Sequence, residues 1–382
     1  MEHRPPLEGQ RLNLGTRILD AAGLAGLDPD QWDSLGRHAL VENPFYSRQY
    51  LLAGLETIDR AAGLRAFEIR TADDRLVALF PFVRRWGIAC GARNLYQFSG
   101  TPLIHKDHAP SVVVAWLDAI ASGRLPRVWR LRDLRTEGPL AALIAGLAAH
   151  RGMATAVVNG YRRPVLTRLA GGFEQHLGTA IAKSRRKDIE RAVRRLREQG
   201  ELRFERCDTA DAVQRRIEQF LALERAGWKG AGGSAFLCRA DDAAFARAAF
   251  AGIPGRQCLA SMDSLLLDDR PIAFSINIAS GNTAFTPKCT YDETYRKWSP
   301  GLVLEYLVIE RFYGDGRFSA MDSATTVDGH VVEGLWNETA PMGELFVGLS
   351  GSTRLAALFA AAHAKAKSMA KKLLSRIARG RH

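Results

Sequence analysis

Two stretches of the chain, Asp73-Asp74-Arg75-Leu76-Val77-Ala78-Leu79-Phe80 and Asp268-Asp269-Arg270-Pro271-Ile272-Ala273-Phe274-Ser275, share a turn and the strand after it, 195 residues apart. In a chain of 382 residues, a repeat at that spacing points to two copies of one domain. Each copy carries a β-hairpin at the repeat. In the first, residues 66–70 and 76–83 alternate or run apolar around Thr71-Ala72-Asp73-Asp74. In the second, residues 259–267, 272–279 and 283–289 do the same around Asp268-Asp269-Arg270 and Ser280-Gly281-Asn282. Apolar residues at helical spacing predict helices over 45–62, 109–122 and 138–150, and a long polar helix over 173–199 that ends at Gly200. The fold class is α/β (mixed α+β). We place a first domain over 1–158, a second over 159–349 and a tail over 350–382.

Apolar residues make up 47% of the chain and charged ones 25%, which supports a packed core and excludes wholesale disorder. The formal charge of +12 favours anionic partners, yet it is unevenly spread. Eight basic residues and no acid fall between Phe346 and His382, leaving +4 for everything before them. The five cysteines (Cys90, Cys207, Cys238, Cys258, Cys289) include no Cys-x-x-Cys pair, so neither a disulfide framework nor a zinc knuckle is expected, and a reducing cytoplasm fits. The start, MEHRPPLEGQ, has no apolar signal region, and no run approaches the ~18 apolar residues of a spanning helix. The expectation is a cytoplasmic protein, at most peripheral to the inner membrane.

The segment with most chemical content is Tyr291-Asp292-Glu293-Thr294-Tyr295-Arg296-Lys297-Trp298-Ser299-Pro300-Gly301-Leu302. Ser299 reads as an N-cap and Pro300 as the first helical residue, with Leu302, Val303, Tyr306, Leu307 and Tyr313 on one face. The amides and positive dipole end of such a helix form an anion site; Gly301 permits close approach, and Arg296 and Lys297 add charge. A pyrophosphate fits there, and a capped helix without a ligand is the alternative. Beyond Gly314-Asp315-Gly316, a strand over 318–323 ends in Asp322, a candidate general base whose plainer reading is a turn cap.

Together with Leu223–Gly230 (LERAGWKG) and Asp322–Trp336, these residues resemble the GNAT-superfamily acyltransferases of the CelD/BcsL type, relatives of the FemAB-like double-GNAT proteins. The resemblance runs from about Phe45 to Leu349. It implies two tandem GNAT-like domains, each a mixed, mostly antiparallel sheet flanked by helices, with one acyl-CoA at a splayed pair of central strands in the second. The first domain, which lacks the Ser-Pro-Gly helix start, would shape the acceptor cleft. Arg296, Lys297, Ser299, Pro300, Gly301 and Leu302 would then hold acetyl-CoA or another acyl-CoA. A backbone N–H near Thr286–Cys289 would polarise the thioester carbonyl. Asp322 or Glu224 would take the proton of the acceptor, and Tyr291 would protonate the leaving thiolate. Trp228, Lys229, His330 and Trp336 would line the acceptor pocket. The implied reaction is direct N- or O-acyl transfer in a ternary complex, with no metal, to a small-molecule or saccharide acceptor in envelope or exopolysaccharide biosynthesis.

Two other readings stay open: a cysteine-dependent acyltransferase or hydrolase using Cys289 and His330, and a non-catalytic GNAT-like scaffold. The basic run Lys183, Arg185, Arg186, Lys187, Arg191, Arg194, Arg195 and Arg197 is interleaved with acids and reads as a solvated helix face rather than a nucleic-acid stripe. His105-Lys106-Asp107-His108 reads as a loop rather than a metal pair. In the tail, Leu355, Leu358, Phe359, Ala362, Ala366, Met369, Leu373, Leu374 and Ile377 form one helical stripe beside an unopposed set of Lys and Arg. Such a segment contacts an anionic membrane, docks on the body as a helix or stays a disordered solubilising tail, and the chain is expected to fold without it when ended near Gly351.

Overall fold

The computed structural model describes residues 13–251, 258–325 and 330–379, the last with side chains to Lys367 and at Met369. Its strands are β1 (Gly15–Leu19), β2 (Arg65–Arg70), β3 (Leu76–Arg85), β4 (Ile88–Gly91), β5 (Leu103–Ile104), β6 (Val128–Arg135), β7 (Met153–Thr167), β8 (Leu202–Cys207), β9 (Ala260–Leu267), β10 (Arg270–Ser280), β11 (Thr283–Tyr291), β12 (Ala320–Asp322) and β13 (Glu338–Leu349). They form one mixed sheet in the order β1-β2-β3-β4-β6-β13-β7-β12-β11-β10-β9-β8, with β5 paired to β3 off that path.

The order reads alike from both ends. Four antiparallel strands come first, β1 to β4 on one side and β8 to β11 on the other, and a parallel pair follows, β4 with β6 or β11 with β12. The hairpins β2–β3 and β9–β10, which carry the sequence repeat, occupy equivalent places. At their turns Asp74, Asp268 and Asp269 take φ of 60°, 49° and 61°, a left-handed conformation that a short polar side chain tolerates. Each half also lends the other a strand. β13 pairs along its length with β7 and on its other edge with β6, while β7 pairs with β12. The 158/159 boundary lies inside β7, which runs unbroken from Met153 to Thr167.

The cores follow from this sheet. On one side Phe80 stacks on Trp116, whose ring meets Trp129 edge-on beneath the Ala109–Ala121 helix. In the second half, the Pro300–Asp315 helix buries Val303, Val308, Ile309 and Phe312. The opposite face of that sheet packs Phe220, Phe236, Phe245 and Phe250 together with Phe45, Tyr50 and Tyr96 from the first half. A buried aromatic ring stabilises by roughly 1.5–3 kcal/mol, so the halves share a core that neither keeps alone.

Two predicted helices are divided. The 173–199 segment forms Gly172–Thr179 and Lys183–Arg197, because Ala182 turns extended (φ −56°, ψ 142°) and lets Ile181 bury. The 45–62 segment forms a 3₁₀ turn at Pro44–Tyr46 and a helix at Arg48–Glu56, since Ser47 is extended and caps Tyr50. At Ser47 a local start signal outranks apolar spacing, whereas the break at Ala182 has no side-chain cap and goes with the burial of Ile181. The Lys183–Arg197 helix buries Ile189, Ala192 and Leu196 and leaves most of its basic residues in solvent. His105 caps and His108 ends a short 3₁₀ turn, with ring centroids 5.2 Å apart.

The tail requires a correction. Helix Ser350–Arg379 continues directly from β13, and its first turns bury Thr353 and seat Ala357 against Val128 and Phe346. A chain ended near Gly351 would expose that seat, so the first turns belong to the folded body. Among the described residues, no helix is long and apolar enough to cross a membrane.

Candidate active site

The parallel pair β11–β12 is in register only at Thr283↔Ala320, Ala284↔Met321 and Phe285↔Asp322. Beyond Phe285, β11 continues to Tyr291 while β12 ends, so the strands part and leave an open edge over Thr286–Tyr291. Pro287, which has no amide hydrogen to offer, lies within this stretch, and β11 nevertheless continues through it. The splayed pair expected from the resemblance is therefore β11 and β12.

The Tyr291–Leu302 segment closes over one end of this opening. Asp292 caps a 3₁₀ turn at Glu293–Trp298, its Oδ1 accepting from the Thr294 amide at 3.0 Å. The helix starts at Pro300 as expected, but Ser299 is not a side-chain cap. It sits in the left-handed region (φ 51°, ψ 54°), a conformation in which its hydroxyl does not reach the first turn, and its carbonyl instead accepts from Leu302 and Val303 at 3.0 and 3.2 Å. The second helical position leaves the Gly301 amide without an acceptor in its own helix. A Cβ on Gly301 would meet only the Tyr291 ring, at 3.5 Å, so the space above this helix end is open. Arg296 and Lys297 are exposed beside it, Lys297 lying 4.0 Å over the Trp298 ring, and the basic Lys183–Arg197 helix packs against the same turn.

Glu224, Trp228 and Lys229 meet the same strand from one face of the sheet. Glu293 Oε1 accepts the Trp228 amide at 2.8 Å, which ties the Trp-Lys-Gly turn to the 3₁₀ turn and leaves Trp228 59% exposed. Lys229 donates to the Cys289 carbonyl and lies 3.6 Å from Glu224. Glu224 is fully buried, accepts from Lys288 Nζ and the Phe236 amide at 2.9 Å each, and so is the anchor of a buried ion pair rather than a surface acid. Burial holds the Lys288 ammonium below its ordinary range against the pull of Glu224, and the Phe236 ring lies 4.3 Å away. His330 is held by its own turn, where its amide donates to Glu333 and its ring accepts from Val332, and burial first, then the Lys229 charge, hold its imidazole below the ordinary value.

The other face holds Trp336 and a residue that the motifs did not single out. Trp336 is buried and donates its indole N–H to Glu305 Oε1 at 2.7 Å. Burial pushes the Glu305 carboxyl from an ordinary 4.5 up to about 7, with the Trp336 hydrogen bond opposing and Asp263 adding to the rise. Its signal was present in the sequence, since Glu305 stands in the stripe Leu302, Ile309, Phe312 of the buried helix face. Burial also pushes the Cys289 thiol up, which works against a thiolate nucleophile there.

Asp322 lies at the point where the strands part. It is 1% exposed, its Oδ1 accepts from the Ala324 amide at 2.8 Å, and Arg163 and Arg135 approach at 3.5 and 3.4 Å. It is thus the turn cap of the plainer reading and also a carboxylate held between two guanidinium groups. Beside it opens a cleft of about 180 Å³, lined by Glu42, Ser99, Thr101, Asp133, Arg135 and Arg163 among others. Most of these come from the first half, so the cleft beside Asp322 is built by both halves. A larger hollow, about 690 Å³, lies toward the opposite ends of β11 and β12 by Arg37, Arg48 and Arg317, and shares no lining residue with the splay.

The equivalent opening in the first half is filled by the chain itself. β4 and β6 pair only at Ala89↔Trp129 and Cys90↔Arg130. Past them the Gly100 amide donates to the Arg132 carbonyl at 2.8 Å, and a Cβ on Gly100 would lie 2.8 Å from that oxygen. Only glycine fits so close an approach. This explains physically why one half alone keeps an open splay.

Residues 183–329 match the family model of the acetyltransferase (GNAT) domain. Among curated proteins, none matches the sequence. The structure superposes on a C-terminal DUF2156 domain from Agrobacterium fabrum with a TM-score of 0.53 at 11% identity, covering 89% of this chain and 96% of that one. It superposes on FemX with a TM-score of 0.51 at 10% identity, over 84% and 96% of the two chains. For L-PGS from Bacillus licheniformis the TM-score is 0.50 at 10% identity, over 87% and 95%. These likenesses establish the shared fold over nearly the whole chain, and the match of residues 183–329 to a GNAT acetyltransferase domain supports an acyltransferase enzyme.

Proposed function

We propose that the protein transfers an acyl group, acetyl in the simplest case, from acyl-CoA to an amine or hydroxyl of a polar acceptor by direct attack in a ternary complex. The observation that carries this reading is the open splay of β11 against β12, with the Gly301 helix end on one side and the Asp322 cleft on the other. The diphosphate of CoA takes the Gly301 amide with Arg296 and Lys297, and the thioester lies along Thr286–Cys289. The acceptor enters past Asp133 and Arg135, and Asp322 takes its proton as the tetrahedral intermediate forms. The several hydrogen-bonding groups of the cleft suit a hydroxyl-rich acceptor, in line with a sugar of envelope or exopolysaccharide synthesis as in the CelD/BcsL type. Lys229, Trp228 and His330 shape the mouth, while Glu224 and Trp336 hold their positions from within.

Thermal-shift and native mass spectrometric screening against CoA thioesters of graded length, followed by an acceptor screen read by free-thiol release, tests the proposal. One acyl-CoA should bind per chain, and release should depend on both substrates. Cys289→Ser should keep the activity, whereas its loss with acyl-CoA affinity intact would establish the cysteine route in its place.

A further inference from the structure

The tail helix has two faces with different partners. Thr353 is buried, and buried Ala357 with half-buried Ala356 and Ala360 joins a small cluster with Val128, Phe346 and Ile88. Leu355, Leu358, Phe359 and Met369 are 57%, 68%, 68% and 71% exposed. At about 100° per residue these four span an arc of about 100°, opposite the docked face. Alanines dock while the large apolar side chains face water, the reverse of what a helix serving only the core would do. In the sequence the same spacing continues at Leu373 and Ile377.

A second apolar group stands beside that seat. The β3–β4 hairpin tip carries Trp86, 99% exposed with φ 48°, between exposed Arg85 and Gly87 and next to exposed Arg84. Ile88, two residues on, belongs to the cluster that docks the helix. Trp86 contributes to no core and adopts a conformation that a bulky residue holds at a cost. A tryptophan flanked by arginines suits the boundary between water and hydrocarbon.

Charge decides the occupant. From Phe346 to His382 there are eight basic residues and no acid, so a second copy seated on this stripe would bring like charge against like. An anionic lipid surface would neutralise it. We propose that this end of the molecule lies on an anionic bilayer, with the Leu355–Met369 stripe and Trp86 in the headgroup region and the lysines and arginines on lipid phosphates. This surface is independent of the acyl-transfer chemistry.

The test is co-sedimentation of the full chain with vesicles of phosphatidylglycerol and phosphatidylcholine in equal parts, against phosphatidylcholine alone. Binding should require the anionic lipid and weaken as salt rises from about 0.05 to about 0.5 M. The double variant Leu358→Glu/Phe359→Glu should lower partitioning by about a hundredfold or more, and Trp86→Ser by about tenfold. Both should unfold at the parent temperature, because these side chains are exposed in the free protein. Equal sedimentation with neutral vesicles, or undiminished binding by the double variant, overturns the proposal. A dimer in solution that Leu358→Glu/Phe359→Glu dissolves would also overturn it, because the stripe would then be a contact between copies.

Discussion

Replacing Glu305 by Gln should make the protein more stable above neutral pH and leave it unchanged in acid. Glu305 is 5% exposed on the Pro300–Asp315 helix, and burial raises its carboxyl from 4.5 to about 7. In the unfolded chain the group loses its proton near 4.5; in the folded one it keeps it to about 7. Between those values the folded state binds more protons, so the stability held below pH 4.5 is lost as pH rises towards 7 and stays lost above it. At ~1.4 kcal/mol per pH unit, the loss is about 3 kcal/mol. Glutamine keeps the shape and an oxygen for the Trp336 indole but does not titrate. The variant should therefore match the parent at about pH 4 and exceed it by about 2–3 kcal/mol at about pH 8. That difference corresponds to a melting temperature higher by roughly 4 °C. Thermal and urea unfolding of both proteins across this pH range measure it. Parallel stability curves for the two would show that Glu305 ionises normally in the fold, and the reasoning would fail.

Gly301→Val should keep the fold, because the only neighbour of an added Cβ is the Tyr291 ring at 3.5 Å, yet weaken CoA binding about tenfold or more in titration calorimetry; unchanged affinity would move the diphosphate elsewhere. Asp322→Asn should lower kcat about 100-fold with acyl-CoA affinity nearly unchanged. It should also lower the melting temperature, since the buried Arg163 loses its counter-charge; an unaltered rate would remove Asp322 from the chemistry. Ending the chain after Gly351 should cost about 3 kcal/mol or more by baring Val128 and Phe346, whereas ending it after Lys367 should cost little in urea unfolding. Equal stability of the two shortened chains would show that the helix seat contributes nothing.

What could be read without the structure was whatever the backbone decides locally. Pro300 starts a helix because its ring fixes φ and it has no amide to lose, and the structure begins that helix at Pro300. The Asp-Asp-Arg turns mark equivalent hairpins because left-handed turn positions accept Asp wherever they fall. Even Glu305 was legible in principle, as an acid inside an apolar helical stripe. Other features rest on contacts between distant segments. Glu224 became a buried anchor only because β11 delivers Lys288 from 64 residues away. β7 and β13 exchange places because two sheets with unsatisfied edges lie side by side, and no residue in either strand announces that. The first half closes its own splay through one glycine against a carbonyl 32 residues further on, a fit that depends on where two backbones meet. Turn and helix signals are set by φ and ψ and by the nearest few residues, so the sequence alone determined them. Burial, ion pairing and strand neighbours are set by long-range packing, so only the tertiary structure could decide which half keeps an open site and which charges stand inside it.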